Sequence, residues 1–216
     1  TVVAQSLVCA AGLGVAALAE ALRSNRSSLQ PNTFTTVPLD TWVGEVPHLL
    51  RDGTLPPHLQ LAPQRWDCRA TRLAWLGLQA DGFERAVAHA CQRWTAVRVG
   101  LVVGTSASTI GASEMAYRTL DEEGRFPPAL RSETLNTLHA VTAFVQAALG
   151  LQGPCATVST ACSSSAKAFA QAARWLNLGL VDAVVVGGVD ALCNSVLFGF
   201  SALQLVSSQP CRPFDA

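Results

Sequence analysis

Thr157-Val158-Ser159-Thr160-Ala161-Cys162-Ser163-Ser164-Ser165-Ala166 is the stretch whose reading decides the fold. A short β-branched run ends in a turn of small residues, a cysteine stands in that turn, and three serines lead into an alanine-rich segment. A strand, a tight turn and a helix in immediate succession place the Cys162 thiol at the positive end of a helix, where the backbone dipoles favour a thiolate. Acyl transfer through a thioester is the chemistry such a cysteine suits. The same local pattern also fits an inert buried thiol, and the pattern alone leaves both readings open.

Downstream, Ala166, Ala168, Ala170, Ala172 and Ala173 give the segment from Ser163 to Leu178 a nearly bare helical surface. Such a helix packs closely against other backbone on several sides. It is therefore expected to be central and buried, with Phe169, Leu176 and Leu180 as its larger packing groups. Cys162 would then form the floor of a pocket, beside unpaired backbone N–H groups able to hold an oxyanion. Ser163 to Ser165 are read as helix caps. Lys167 is read as a structural residue near the site, able to pair with an acid. Asp182 to Val189 reads as an apolar strand whose Gly187-Gly188 end passes close to the helix. These glycines lack the spacing and lysine of a phosphate loop. Asp190 is expected to be a buried, hydrogen-bonded structural acid.

Upstream, Val2 to Val8 reads as a first strand, and Gly12 and Gly14 turn the chain into a helix over Val15 to Arg23. Six of the eleven prolines fall between residues 24 and 66, which marks a long irregular excursion pinned by Trp42 and Trp66. Helical spacing runs from Ala70 to Trp94. Val97 to Val103 is a buried strand ending at Gly104. The Thr105 to Gly111 loop precedes a helix reaching Leu120, and this loop and Glu114 are candidates to line a pocket or a contact between subunits. Asp121 to Arg131 is a surface turn, Thr134 to Leu149 a helix, and Cys155 to Ser159 a strand. Cys193 to Leu205 is mixed in pattern, and Pro210 to Ala216 is extended. Strands that are apolar on both faces and alternate with helices predict an α/β fold, with a parallel or mixed sheet covered on both sides.

The bulk properties exclude several classes of function. Of 216 residues, half are hydrophobic and 14% charged, with fifteen basic residues balancing fifteen acidic ones. No electrostatic footprint for nucleic acid is present. No apolar run is long enough to span a membrane, and the apolar start of the chain lacks the basic residues of a signal sequence. Leu7-Val8-Cys9 resembles a lipoprotein processing site, except that Val8 is too large. Seven cysteines without metal-ligand spacing argue against disulfides and structural zinc, predict that five or six of these thiols are small core residues, and fit a reducing, cytoplasmic compartment.

Three blocks, Val158 to Ala166, Val184-Val185-Val186-Gly187-Gly188-Val189-Asp190 and Arg212-Pro213-Phe214-Asp215, resemble the β-ketoacyl-acyl carrier protein synthases in order and spacing. Weaker similarity extends to the first strand. Finer features, including Asp40 to Gly44, Gly199 to Ser207 and Pro210 to Phe214, are similar to ketosynthases of the aryl-polyene type. The resemblance implies a thiolase-like fold with a mixed sheet, helices on both faces and a buried central helix. It implies that residues 1–216 form the N-terminal half. It makes Cys162 the acyl-accepting nucleophile, with no bound cofactor, and substrates carried on the phosphopantetheine of acyl carrier protein. Decarboxylative condensation with malonyl-acyl carrier protein would follow, in fatty acid or polyketide synthesis. A homo- or heterodimer pairing through the strand before the cysteine is also implied. The family's two histidines and its lysine belong to a second half, expected to be absent from this chain. His48, His58, His89 and His139 match no family motif. A non-catalytic chain-length or scaffold subunit, a thiolase, and a cysteine acyl hydrolase are the alternatives.

Overall fold

The computed structural model describes residues 1–47, 49, 55–60, 63–128 and 137–213. His48 and the Phe214-Asp215 end of the third block lie outside these residues, as does the start of the helix expected from Thr134.

The chain begins with a two-residue antiparallel pair, β1 (Val8–Cys9) and β2 (Gly12–Leu13), followed by α1 (Val15–Arg23). Residues 2–7, expected to extend the first strand, form no ladder, and Val2 and Val3 are exposed. An apolar run becomes a strand only against a partner, and no described residue supplies one there. The proline-rich excursion holds one further short pair, β3 (Gln30–Pro31) and β4 (Trp42–Val43). Both tryptophans pin it. The Trp42 Nε1 donates to the Ser208 carbonyl at 3.0 Å, and the buried Trp66 ring meets Phe144 at a centroid distance of 6.0 Å.

The helical segment expected from Ala70 to Trp94 is two helices, α2 (Arg69–Gln79) and α3 (Phe83–Trp94). Asp81 and Gly82 between them adopt left-handed φ values of 55° and 71°. The break is built into the Asp-Gly pair, since short polar residues and glycine tolerate that conformation. The Asp81 carboxylate then accepts hydrogen bonds from the Leu7 and Val15 amides, tying the start of α1 to the α2–α3 corner.

The rest of the chain alternates: β5 (Val99–Gly104), α4 (Ile110–Tyr117), α5 (Ala140–Leu149), β6 (Cys155–Val158), α6 (Ser164–Asn177), β7 (Ala183–Gly188) and α7 (Asn194–Ala202). The last helix occupies the stretch whose pattern was mixed. The three strands form one parallel sheet in the order β6-β5-β7, with Leu101 opposite both Cys155 and Val185. β5 is central and buried along its whole length. Its odd residues Val99, Leu101 and Val103 enter a core with Trp75, Val87, Phe144 and Val145 from α2, α3 and α5. The even residue Val102 enters a second core with Ala168 and Ala172 of α6. Helices therefore cover both faces, as the two-sided apolarity of the strands requires.

Small residues bring α6 close to the sheet. A Cβ at Gly100 would lie 3.2 Å from the Trp175 ring, and one at Gly104 only 2.9 Å from the backbone of Ser164 and Ser165. The helix is central to the sheet's packing, but its burial is one-sided. Ser164, Ala168 and Ala172 form its buried stripe, whereas Phe169 and Leu176 are exposed. The sheet covers one face, and no described residue lies over the other.

Candidate active site

Cys162 stands in a single 3-10 turn, Ala161–Ser163, between the end of β6 and the start of α6. Ala161 carries a left-handed φ of 52°, which costs an alanine roughly 1–2 kcal/mol. The turn is held by its own hydroxyls. Ser164 Oγ accepts from the Thr160 amide at 2.9 Å and donates to the Ala161 carbonyl at 2.7 Å. Ser163 Oγ donates to the Thr160 carbonyl at 2.9 Å. The serines expected to cap helix N–H groups instead fasten the elbow backwards, because the sharp turn leaves the carbonyls of residues 160 and 161 within their reach. Cys162 itself is exposed.

Two strand ends make room for this elbow. Gly104 lies under the backbone of Ser164, and a Cβ at Gly188 would meet Ser165 Oγ at 2.7 Å. Gly187, expected to share that role, has open space where a Cβ would stand. In a strand the two glycines point to opposite faces, and only Gly188 faces the helix start.

Cys162 opens on a cavity of about 660 Å³. Ser106 and Ala107 form one wall, Val196 and Phe200 of α7 a second, and Leu73 and Arg69 of α2 a third. Asp190 holds the first wall: its carboxylate accepts from Thr105 Oγ1 at 2.9 Å and from the Ser106 and Ala107 amides at 2.9 and 2.8 Å. It has the structural role expected of it, but it is exposed rather than buried, because it lines the cavity.

Glu114 does not line the cavity. It reaches across from α4 to accept hydrogen bonds from the Asn194 and Ser195 amides at the start of α7. Burial opposes its ionisation, but the hydrogen bonds from Ser195 and Asn194 outweigh this and hold its carboxyl below the ordinary glutamate range. The remaining expected residues lie elsewhere. Lys167 is exposed and makes no ion pair with a described residue. His58 Nε2 lies 3.2 Å from the Ala147 carbonyl, and His89 is exposed on α3. His139 Nδ1 lies 2.8 Å from Thr157 Oγ1. None of these three lines the cavity.

All seven cysteines are free, and only Cys162 and Cys211 are exposed. The other five are buried or half-buried, as the composition suggested. Burial pushes the Cys91, Cys155 and Cys193 thiols up from their ordinary value, which suits packing groups rather than nucleophiles. Among the described residues no cluster of His, Cys, Asp and Glu is placed to hold a metal ion, and no helix is long and apolar enough to cross a membrane.

The parallel α/β layer with a cysteine elbow between strand and helix is the thiolase-like fold of solved ketosynthases, and residues 64–216 match the N-terminal domain of the β-ketoacyl synthases. The chain belongs to that family. It is similar to nodulation protein E of Rhizobium meliloti, at 28% identity over 97% of this chain and 51% of the relative. It is also similar to 3-oxoacyl-[acyl-carrier-protein] synthase 2 of Staphylococcus aureus, at 28% identity over 56% of this chain and 32% of that protein. Among solved structures it resembles a chain of the ketosynthase ApeO in complex with its chain length factor ApeC, from Xenorhabdus doucetiae. The TM-score is 0.77 and the identity 26%, over 97% of this chain and 51% of that one. The chain spans about half the length of the nodulation protein it matches.

Proposed function

We propose that residues 1–216 are the nucleophile-bearing N-terminal half of a β-ketoacyl-acyl carrier protein synthase, with Cys162 as the acyl acceptor. The observation that carries this reading is the exposed Cys162 thiol at a strained elbow before α6, open to a cavity lined mostly by apolar side chains. The Cys162 sulfur attacks the carbonyl of an acyl thioester, its carbon–sulfur bond forms, and the phosphopantetheine thiol of the carrier protein leaves. Malonyl-carrier protein then loses carbon dioxide, and the resulting carbanion attacks the acyl-cysteine carbonyl. A carbon–carbon bond forms, and Cys162 leaves as its thiol.

The enolate needs hydrogen-bond donors, which the family resemblance assigns to two histidines and a lysine; none of the described histidines lines the cavity. Phe169 and Leu176 support the half-domain reading: both stand exposed on α6, beside Lys167 and Arg174, as large apolar groups that a second half would cover. Acyl carrier protein and a second ketosynthase-type subunit are the partners, as the names of the similar proteins suggest. The chemistry proposed calls for no bound cofactor, and seven free thiols suit the cytoplasm. The similarity to a ketosynthase–chain length factor complex keeps a non-catalytic subunit as the second reading. A serviceable nucleophile argues against it.

The complete protein, given acyl- and malonyl-carrier protein, is expected to release carbon dioxide and form a β-ketoacyl thioester. Release of the free acid alone would indicate a hydrolase and overturn the proposal.

A further inference from the structure

The helix α7 supplies Val196 and Phe200, four residues apart and so on one face, to the cavity beside Cys162. Yet α7 has no fully buried residue, so burial alone does not fix its position. Its N-cap, Cys193, makes no side-chain capping bond. The first amides of a helix need partners from elsewhere, and here a carboxylate from another helix provides them. Glu114 accepts from the Asn194 amide at 3.1 Å, from Asn194 Nδ2 at 3.2 Å, and from the Ser195 amide. A negative charge at this end also suits the helix dipole. One turn earlier on α4, Gly111 stands against the residue that precedes α7: a Cβ there would be in van der Waals contact with the Cys193 Cβ, at 3.4 Å.

We propose that Glu114 is a positioning residue that anchors α7, and that through Val196 and Phe200 it sets how large an acyl group fits beside Cys162. The part concerning acyl groups rests on the function proposed above; the part concerning the cavity does not.

Two alkylating probes separate these parts. In the complete natural protein, with any subunits it assembles with, Cys162 is alkylated by iodoacetamide and by N-octyl-iodoacetamide, and the rates are read by peptide mapping. In each reaction the sulfur displaces iodide and a carbon–sulfur bond forms. Glu114→Ala is expected to lower the octyl-to-small rate ratio about fivefold, because the long probe needs the anchored wall, while the small probe stays within about twofold. Glu114→Gln, which keeps one acceptor oxygen, is expected to restore most of the ratio. Asn194→Pro removes both Asn194 donors but leaves a residue well suited to the first helical position. It should lower the ratio in the same direction, and it decides the matter if Glu114→Ala does not fold.

An unchanged or raised ratio in folded variants, or equal slowing of both probes, overturns the proposal. A lowered ratio in a protein whose Cys162 accepts no acyl group sustains the anchoring role and sinks the acyl reading instead.

Discussion

Cys162→Ala is expected to abolish condensation, with β-ketoacyl product falling by at least about a thousandfold while the melting temperature stays close to that of the parent. Loss of a nucleophile removes the covalent route altogether, and what remains is the contribution of binding and polarisation. The side chain is exposed and makes no hydrogen bond with a described residue. Replacing its sulfur with hydrogen therefore leaves neither a buried cavity nor an orphaned polar group. The elbow survives because its fastening belongs to Ser163 and Ser164. A chain-length or scaffold subunit would tolerate the change, so a variant with undiminished product formation would place this chain in that class.

Gly104→Val is the second large effect. Even the first carbon of the new side chain would stand 2.9 Å from the Ser164 carbonyl carbon and the Ser165 amide nitrogen. These are backbone atoms at the start of α6, with no flexible side chain to swing away. The helix start must move off β5, or the strand must bend. Overpacking of this kind costs about 3 kcal/mol, a drop of roughly 10 °C in melting temperature for a domain of this size. The displacement also carries Cys162 with it, so acylation should slow more than stability falls. Gly187→Ala, with open space around its new carbon, is the matched control and is expected to change stability by less than about 1 kcal/mol. Equal melting temperatures for the two variants would contradict the close approach of α6 to β5 on which the site's geometry depends.

These two sites differ in how openly the sequence declared them. Cys162 was legible because a β-branched run, a small-residue turn and an alanine-rich helix are local signals, and local signals survive folding. The strands β5, β6 and β7 were legible for the same reason: runs such as Val184-Val185-Val186 have no polar face to expose. What the sequence hid depends on partners distant in the chain. The Val2 to Val8 run is as apolar as a strand but has no ladder to join among the described residues. α7 has no polar stripe to announce it, and its cap comes from Glu114, eighty positions earlier. Nor does Ala161 advertise a left-handed backbone, because nothing in an alanine favours it; the serine hydroxyls that impose it act only once the elbow has formed. The Asp81–Gly82 break was a readable turn signal, overridden by the helical spacing on either side of it.

The most direct measurement is to mix the complete protein with an acyl-pantetheine thioester, quench within the first turnover, and map the acyl group over all seven cysteines. The account predicts the acyl mass on the peptide holding Cys162 and on no other. Acyl groups on Cys211 or Cys9 at comparable occupancy, or none on Cys162, would contradict it.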